Sequence, residues 1–123
     1  MTFLDANVLL EVILKRTHAV TCEQLLSNNE DKAISLLTLD LVMYFVERDK
    51  LAWVPVKAFL ESFHWLPIIE ADAQWAFAQF QGDDFEDALQ VACALREGCD
   101  KFVTLDRALS KKYSKILAMD LLY

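Results

Sequence analysis

Glycine and proline are scarce in this chain, with two of each in 123 residues. No repeat, low-complexity stretch or linker is visible, and the four residues fall where elements should begin or end. Gly82 precedes Asp83-Asp84 at the start of a helix, and Gly98 sits where a helix needs positive φ to stop. Pro55 suits the first turn of a helix. Pro67 suits the start of a short edge strand, where a missing N–H is tolerated. Cysteine and histidine are scarce too. Cys22, Cys93 and Cys99 are odd in number and form no metal motif with His18 and His64, which argues against a zinc site. The cysteines read as reduced core thiols, as in a cytoplasmic protein. Neither histidine has an acidic or nucleophilic partner nearby in sequence, so neither reads as a general base. No Gly-rich phosphate loop is present. The longest apolar run, Leu41–Val46, falls far short of the roughly 18 residues that span a bilayer. Met1 leads straight into an apolar strand with no basic stretch, so no secretory signal and no membrane association are expected. Positive charge is short as well: 12 basic residues against 19 acidic give a net charge of −7. That argues against a generic nucleic-acid coat, which relies on Lys and Arg. It leaves a nuclease open, because metal ions can supply positive charge.

What the chain does have is apolar content, 55% of its residues, which is ample for a core. Its length fits a single domain over residues 1–123. Short strands are expected at Thr2–Leu4, Ala33–Ser35, Leu66–Ile69, Lys101–Thr104 and Ile116–Ala118. Helices are expected at about residues 7–15, 19–27, 39–48, 55–63, 71–79 and 85–97. Strands alternating with helices imply α/β architecture with a parallel sheet and right-handed crossovers.

Three carboxylates stand where a strand hands over to a helix or beside such a point. They are Asp5 in Leu4-Asp5-Ala6-Asn7, Asp87 in Asp84-Phe85-Glu86-Asp87, and Asp106 in Thr104-Leu105-Asp106. In an open α/β sheet the carboxyl ends of the strands form the ligand-binding rim. Each acid also has a plainer reading. Asp5 or Asn7 could cap a helix. Thr104-x-Asp106 could be a simple turn. Asp83 with Glu86 has the spacing of a capping box. Asp87 fits that last reading least well, because it leads the apolar stripe Ala88, Val91, Ala92, Leu95. Asp84, three residues earlier, lies near the same face. Acids gathered at one rim repel one another unless cations share the space, and oxygen ligands suit Mg²⁺ or Mn²⁺.

The ordered set Asp5-x-Asn7-Val8-Leu9-Leu10, Ser35-Leu36-Leu37-Thr38, Asp87-Ala88-Leu89 and Val103-Thr104-x-Asp106 resembles the PIN domain family. These are small metal-dependent ribonucleases best known as VapC-type toxins, and the resemblance runs over essentially the whole chain. It implies a three-layer α/β/α fold with a central parallel sheet of about five strands. It implies a Mg²⁺- or Mn²⁺-dependent endoribonuclease, the toxin of a toxin–antitoxin pair. Asp5, Asp87 and Asp106 would hold the metal, with Thr104 and Asn7 orienting the carboxylates. RNA would be the substrate, and an antitoxin and a second copy of the chain the protein partners. The family's second acid, a Glu three residues after Thr38, is Leu41 here. Asp40 and Asp84 are the candidates to replace it, and a PIN-like module that binds RNA or protein without cleaving is the alternative. A phosphatase or receiver-like domain fits worse, since Asp5-Ala6-Asn7 lacks that class's second Asp.

Two further stretches stand out. Arg107, Lys111, Lys112 and Lys115 follow Asp106 closely, either as a solvated helix face or as a phosphate-contacting edge. The helix pair across Leu41–Phe63, followed by Trp65, is rich in aromatics for one small core. Any exposed remainder would mark a protein interface.

Overall fold

A computed structural model describes residues 1–122. Five strands, β1 (Thr2–Leu4), β2 (Lys32–Ser35), β3 (His64–Leu66), β4 (Lys101–Thr104) and β5 (Met119–Leu121), form one sheet. Its order is β3-β2-β1-β4-β5, and every pairing is parallel. The helices are α1 (Ala6–Ile13), α2 (Ala19–Leu26), α3 (Leu36–Arg48), α4 (Trp53–Leu60), α5 (Glu70–Gln79), α6 (Phe85–Arg96) and α7 (Arg107–Tyr113).

Side chains alternate across a strand, so adjacent residues enter different layers. Phe3, Ala33 and Phe102 pack with Val91, Ala94, Leu109 and Tyr113 from α6 and α7. Leu4, Ile34 and Val103 pack with Val8, Leu9, Val42, Val46 and Leu60 from α1, α3 and α4. The sheet therefore has a core on each face, which makes the three-layer α/β/α fold expected of the sequence. Covered on both sides, β1 buries Thr2, Phe3 and Leu4 alike.

Two strands sit differently from the sequence expectation. β3 is His64–Leu66, where Ala33 pairs with His64 and Ser35 with Leu66. Pro67 follows it: without an N–H, proline closes the ladder instead of opening it. β5 is Met119–Leu121, because Ile116 and Leu117 donate their N–H groups back to the Tyr113 carbonyl and extend the end of α7. Helix α3 starts at Leu36, earlier than expected, since Ser35 Oγ accepts from Thr38 N at 3.1 Å and caps it. The positive φ at Gly98, 69°, lies just beyond α6 as expected.

The order of strands fixes the position of the site. The chain runs outward from β1 to β2 and β3, then returns to place β4 on the other side of β1. The direction of winding reverses between β1 and β4, and in open α/β sheets ligands bind at the carboxyl ends of the strands at such a point.

Candidate metal centre

Asp5 leaves β1 at this switch point as the N-cap of α1, and it is 4% exposed. Its neighbour across the switch point is the turn after β4. The Thr104 hydroxyl donates to Asp5 Oδ2 at 2.7 Å. Thr104 Oγ1 itself accepts from the Asp106 N–H at 2.9 Å and from the Asn7 amide at 3.3 Å. Asn7 Oδ1 in turn accepts from Leu105 N at 3.2 Å. Thr104 is thus the hub that ties Asp5 to the β4–α7 turn, and Asn7 braces that turn through Thr104. Asp106 caps α7, its Oδ1 accepting from Leu109 N at 3.1 Å.

Helix α6 brings the other acids. Its first turn carries Glu86 and Asp87. Carboxylate oxygens of Asp5, Glu86 and Asp87 lie within 4.8 Å of one another. Burial comes first among the forces that raise the Asp5 carboxyl to a pKa of about 6, with Glu86 and Asp106 adding to it. Hydrogen bonds from Thr104 and the Ala6 backbone pull the other way. Asp87 is pushed up to about 7, by burial first and then by Asp5, Glu86, Asp106 and Asp84. Three oxygen donors with no basic residue among them, at ligand-sharing distance, fit a hard divalent cation. Bound cations relieve the crowding that now raises these carboxyls.

The residues singled out in the sequence divide as follows. Asp5 and Asp87 meet in this group. Asp106 lies close enough to raise both and shares Thr104 with Asp5. Asp84 is exposed, in a left-handed conformation at φ 58°, and adds its charge to Asp87 without joining the group. Asp40 is exposed on α3 and outside the group, and Leu41 beside it is half-buried.

Glu86 is the acid that sequence spacing assigned elsewhere. The capping box with Asp83 does not form: the N-cap is Asp84, and no side chain caps α6 there. The left-handed turn at Asp84 re-aims the helix start, and Glu86 faces Asp5 instead. A signal for this was Gln90, a polar residue within the apolar stripe of α6 and four residues after Glu86. It is buried and bonds Thr38 Oγ1 at 2.7 Å and Ser35 Oγ at 2.6 Å.

Lys111, Lys112 and Lys115 are exposed on and just beyond α7, which starts at the Asp106 cap. Elsewhere, Trp53, Val54, Tyr44 and Trp65 are exposed. Leu39, Met43, Trp53, Lys57, Leu60 and Trp65 line a cavity of about 230 Å³. Among the described residues, no helix is long and apolar enough to cross a membrane.

The PIN domain family model matches residues 2–115. No curated protein matches the chain in sequence. Among solved structures, a toxin–antitoxin complex from Klebsiella pneumoniae superposes with a TM-score of 0.79 at 21% identity, over 100% of this chain and 98% of that one. The VapBC2 complex from Rickettsia felis, bound to a DNA fragment from its promoter, gives 0.71 at 18% identity, over 99% and 98%. The sarcin-ricin loop cleaving toxin VapC20 from Mycobacterium tuberculosis gives 0.75 at 15% identity, over 91% and 95%. At these identities the likeness is one of fold.

Proposed function

The chain belongs to the PIN domain family, and from that premise we propose that it is a Mg²⁺- or Mn²⁺-dependent endoribonuclease, the toxin of a toxin–antitoxin pair. One observation carries the reading: Asp5, Glu86 and Asp87 present carboxylate oxygens within 4.8 Å of one another, at the point where the sheet reverses its winding. Family membership supports nuclease chemistry, and the similar folds of toxins in toxin–antitoxin complexes support the biological setting.

Asp5, Asp87 and Glu86 would hold the metal, with Asp106 adding negative charge from the α7 cap. A bound divalent ion would offset charge on the scissile phosphate and lower the pKa of the attacking water. Thr104 keeps one oxygen of Asp5 occupied, which fixes the orientation of the carboxylate. Asn7 holds the turn that carries Thr104 and Asp106. Lysines 111, 112 and 115 are placed to contact backbone phosphates flanking the cleaved bond. The exposed aromatic groove around Trp53 and Trp65 is the surface for an antitoxin or a second copy of the chain. The unit is one PIN-like domain over residues 1–123, acting in the cytoplasm.

The test is cleavage of an RNA substrate with Mn²⁺. The parent should cut, and chelation or Asp5→Asn should abolish cutting while the variant stays folded. A second reading, a module that binds RNA or protein without cutting, draws on Leu41 at the position of the family's second acid. Cleavage by the parent that disappears in Asp5→Asn rules it out.

A further inference from the structure

We propose that Gln90 is a positioning residue for Glu86, held for that task by Ser35 and Thr38; this rests on the metal-centre reading above. Glu86 is exposed and sits in the first turn of α6, where a free glutamate would sample several rotamers. Gln90 lies one turn further along the same face. It is 0% exposed, and its amide is fully engaged. The Gln90 carbonyl oxygen accepts from Ser35 Oγ at 2.6 Å. Its amide nitrogen donates to Thr38 Oγ1 at 2.7 Å and, more loosely, to Glu86 Oε1 at 3.5 Å.

The direction of each bond follows from the others. Ser35 Oγ accepts the Thr38 backbone N–H at 3.1 Å, so its own proton is free to go to Gln90. A flipped amide would turn its carbonyl toward the Glu86 carboxylate, oxygen against oxygen. The orientation with N–H toward Glu86 avoids that repulsion.

A buried amide is costly unless all its bonds are made, and an apolar side chain of similar length would fill the space without that demand. Its two short bonds tie α6 to the junction of β2 and α3, and its remaining N–H is turned toward Glu86. The anchor lies at the carboxyl end of β2 and the first turn of α3. This is the region where the resemblance places the family's second acid and where Leu41 offers none. Helix α3 thus contributes to the acid group by holding an amide on α6, while α6 supplies the extra carboxylate.

The experiment measures Mn²⁺ affinity, by calorimetry and by thermal shift, for the parent, Glu86→Gln, Gln90→Met and the double variant. Gln90→Met should weaken Mn²⁺ binding about tenfold, the scale seen when groups that orient metal ligands are removed, and Glu86→Gln, which removes the ligand itself, by at least as much. The double variant should bind no more weakly than Glu86→Gln alone, because Gln90 acts through Glu86. Thr38→Val, which leaves Gln90 without its nearer acceptor, should reproduce the loss and keeps the test open if Gln90→Met does not fold. Independent, additive losses would overturn the positioning role, as would Mn²⁺ binding that Glu86→Gln weakens and neither Gln90→Met nor Thr38→Val changes. A parent that binds no Mn²⁺ would overturn the metal centre itself, and this role with it.

Discussion

Burial and the neighbouring acids hold the Asp87 carboxyl near pKa 7 and Asp5 near 6, against 3.8 for an ordinary aspartate. Between about pH 4 and pH 7 the folded protein therefore binds more protons than the unfolded chain. Stability contributed by these groups falls as pH rises through that window, and the penalty is complete above about pH 7. Asp87→Asn should stabilise the metal-free protein at pH 8, by on the order of 2 kcal/mol once solvent screening of a half-buried group is allowed for. At pH 4 the gain should vanish. Urea unfolding at both pH values checks this, and a variant that unfolds outright would make Asp87 a structural residue. Mn²⁺ should bind more tightly at pH 7.5 than at 5.5, as the same protons leave. Thr104 is the other residue with a sharp expectation. Thr104→Val keeps the shape but strips the oxygen that serves Asp5, Asn7 and the Asp106 N–H. It should cost about 2 kcal/mol in chemical denaturation, the scale for unsatisfied buried groups. Asp5, Thr104 and Asp106 stood out in the sequence because a polar residue at the end of an apolar strand, or in the turn after it, is conspicuous. Glu86 was not, because its spacing from Asp83 matches a common cap, and spacing does not reveal the positive φ at Asp84.

Helices α5 and α6 are clamped together by an ion pair away from the acids. Asp72 is 2% exposed and meets Arg96 Nε at 2.9 Å and Nη2 at 3.0 Å. Asp72 also accepts from the Ile69 N–H at 2.9 Å, and Arg96 donates to the Pro67 carbonyl at 2.6 Å. The clamp therefore fixes the end of β3, the start of α5 and the last turn of α6 against one another. Asp72→Ala leaves Arg96 its ion pair with Glu97 but strips the bonds to α5 and the acceptor of the Ile69 N–H, and should destabilise the fold by roughly 2 kcal/mol, read as a lower urea midpoint. Mn²⁺ affinity should hardly change, since the cluster lies at the opposite end of α6. A large loss of Mn²⁺ affinity in a folded Asp72→Ala would show that the two ends of α6 are coupled. Most helices were legible to within a few residues, because their apolar periodicity is strong. The edge strands β3 and β5 were not, since register is set by partners remote in sequence: Ala33 selects His64, and Phe102 selects Met119.

At the level of the whole molecule, alternation of strands and helices predicts a parallel sheet, but not its order. In the order β3-β2-β1-β4-β5, the pairing of β1 with β4 brings Asp5 beside the Thr104–Asp106 turn. The aromatic groove is also a property of the whole surface. Trp53 is 56% exposed and Trp65 45%, far from their usual burial in a monomer. Light scattering should show self-association that weakens on dilution and in Trp53→Glu, and a monomer at all concentrations would leave the groove to a different protein. The acidic balance of −7 fits a nuclease only if metal ions bring the positive charge to the RNA. The most direct measurement is therefore RNA cleavage titrated with Mn²⁺ for the parent, Glu86→Gln, Asp40→Asn and Leu41→Glu. The parent should cleave, at a rate that rises with Mn²⁺. Glu86→Gln should need about tenfold more metal. Asp40→Asn should match the parent, and Leu41→Glu should need less metal. Loss of cleavage in Asp40→Asn with Glu86→Gln unaffected, or no cleavage by any of the four at any Mn²⁺ concentration, would contradict the metal-centre reading.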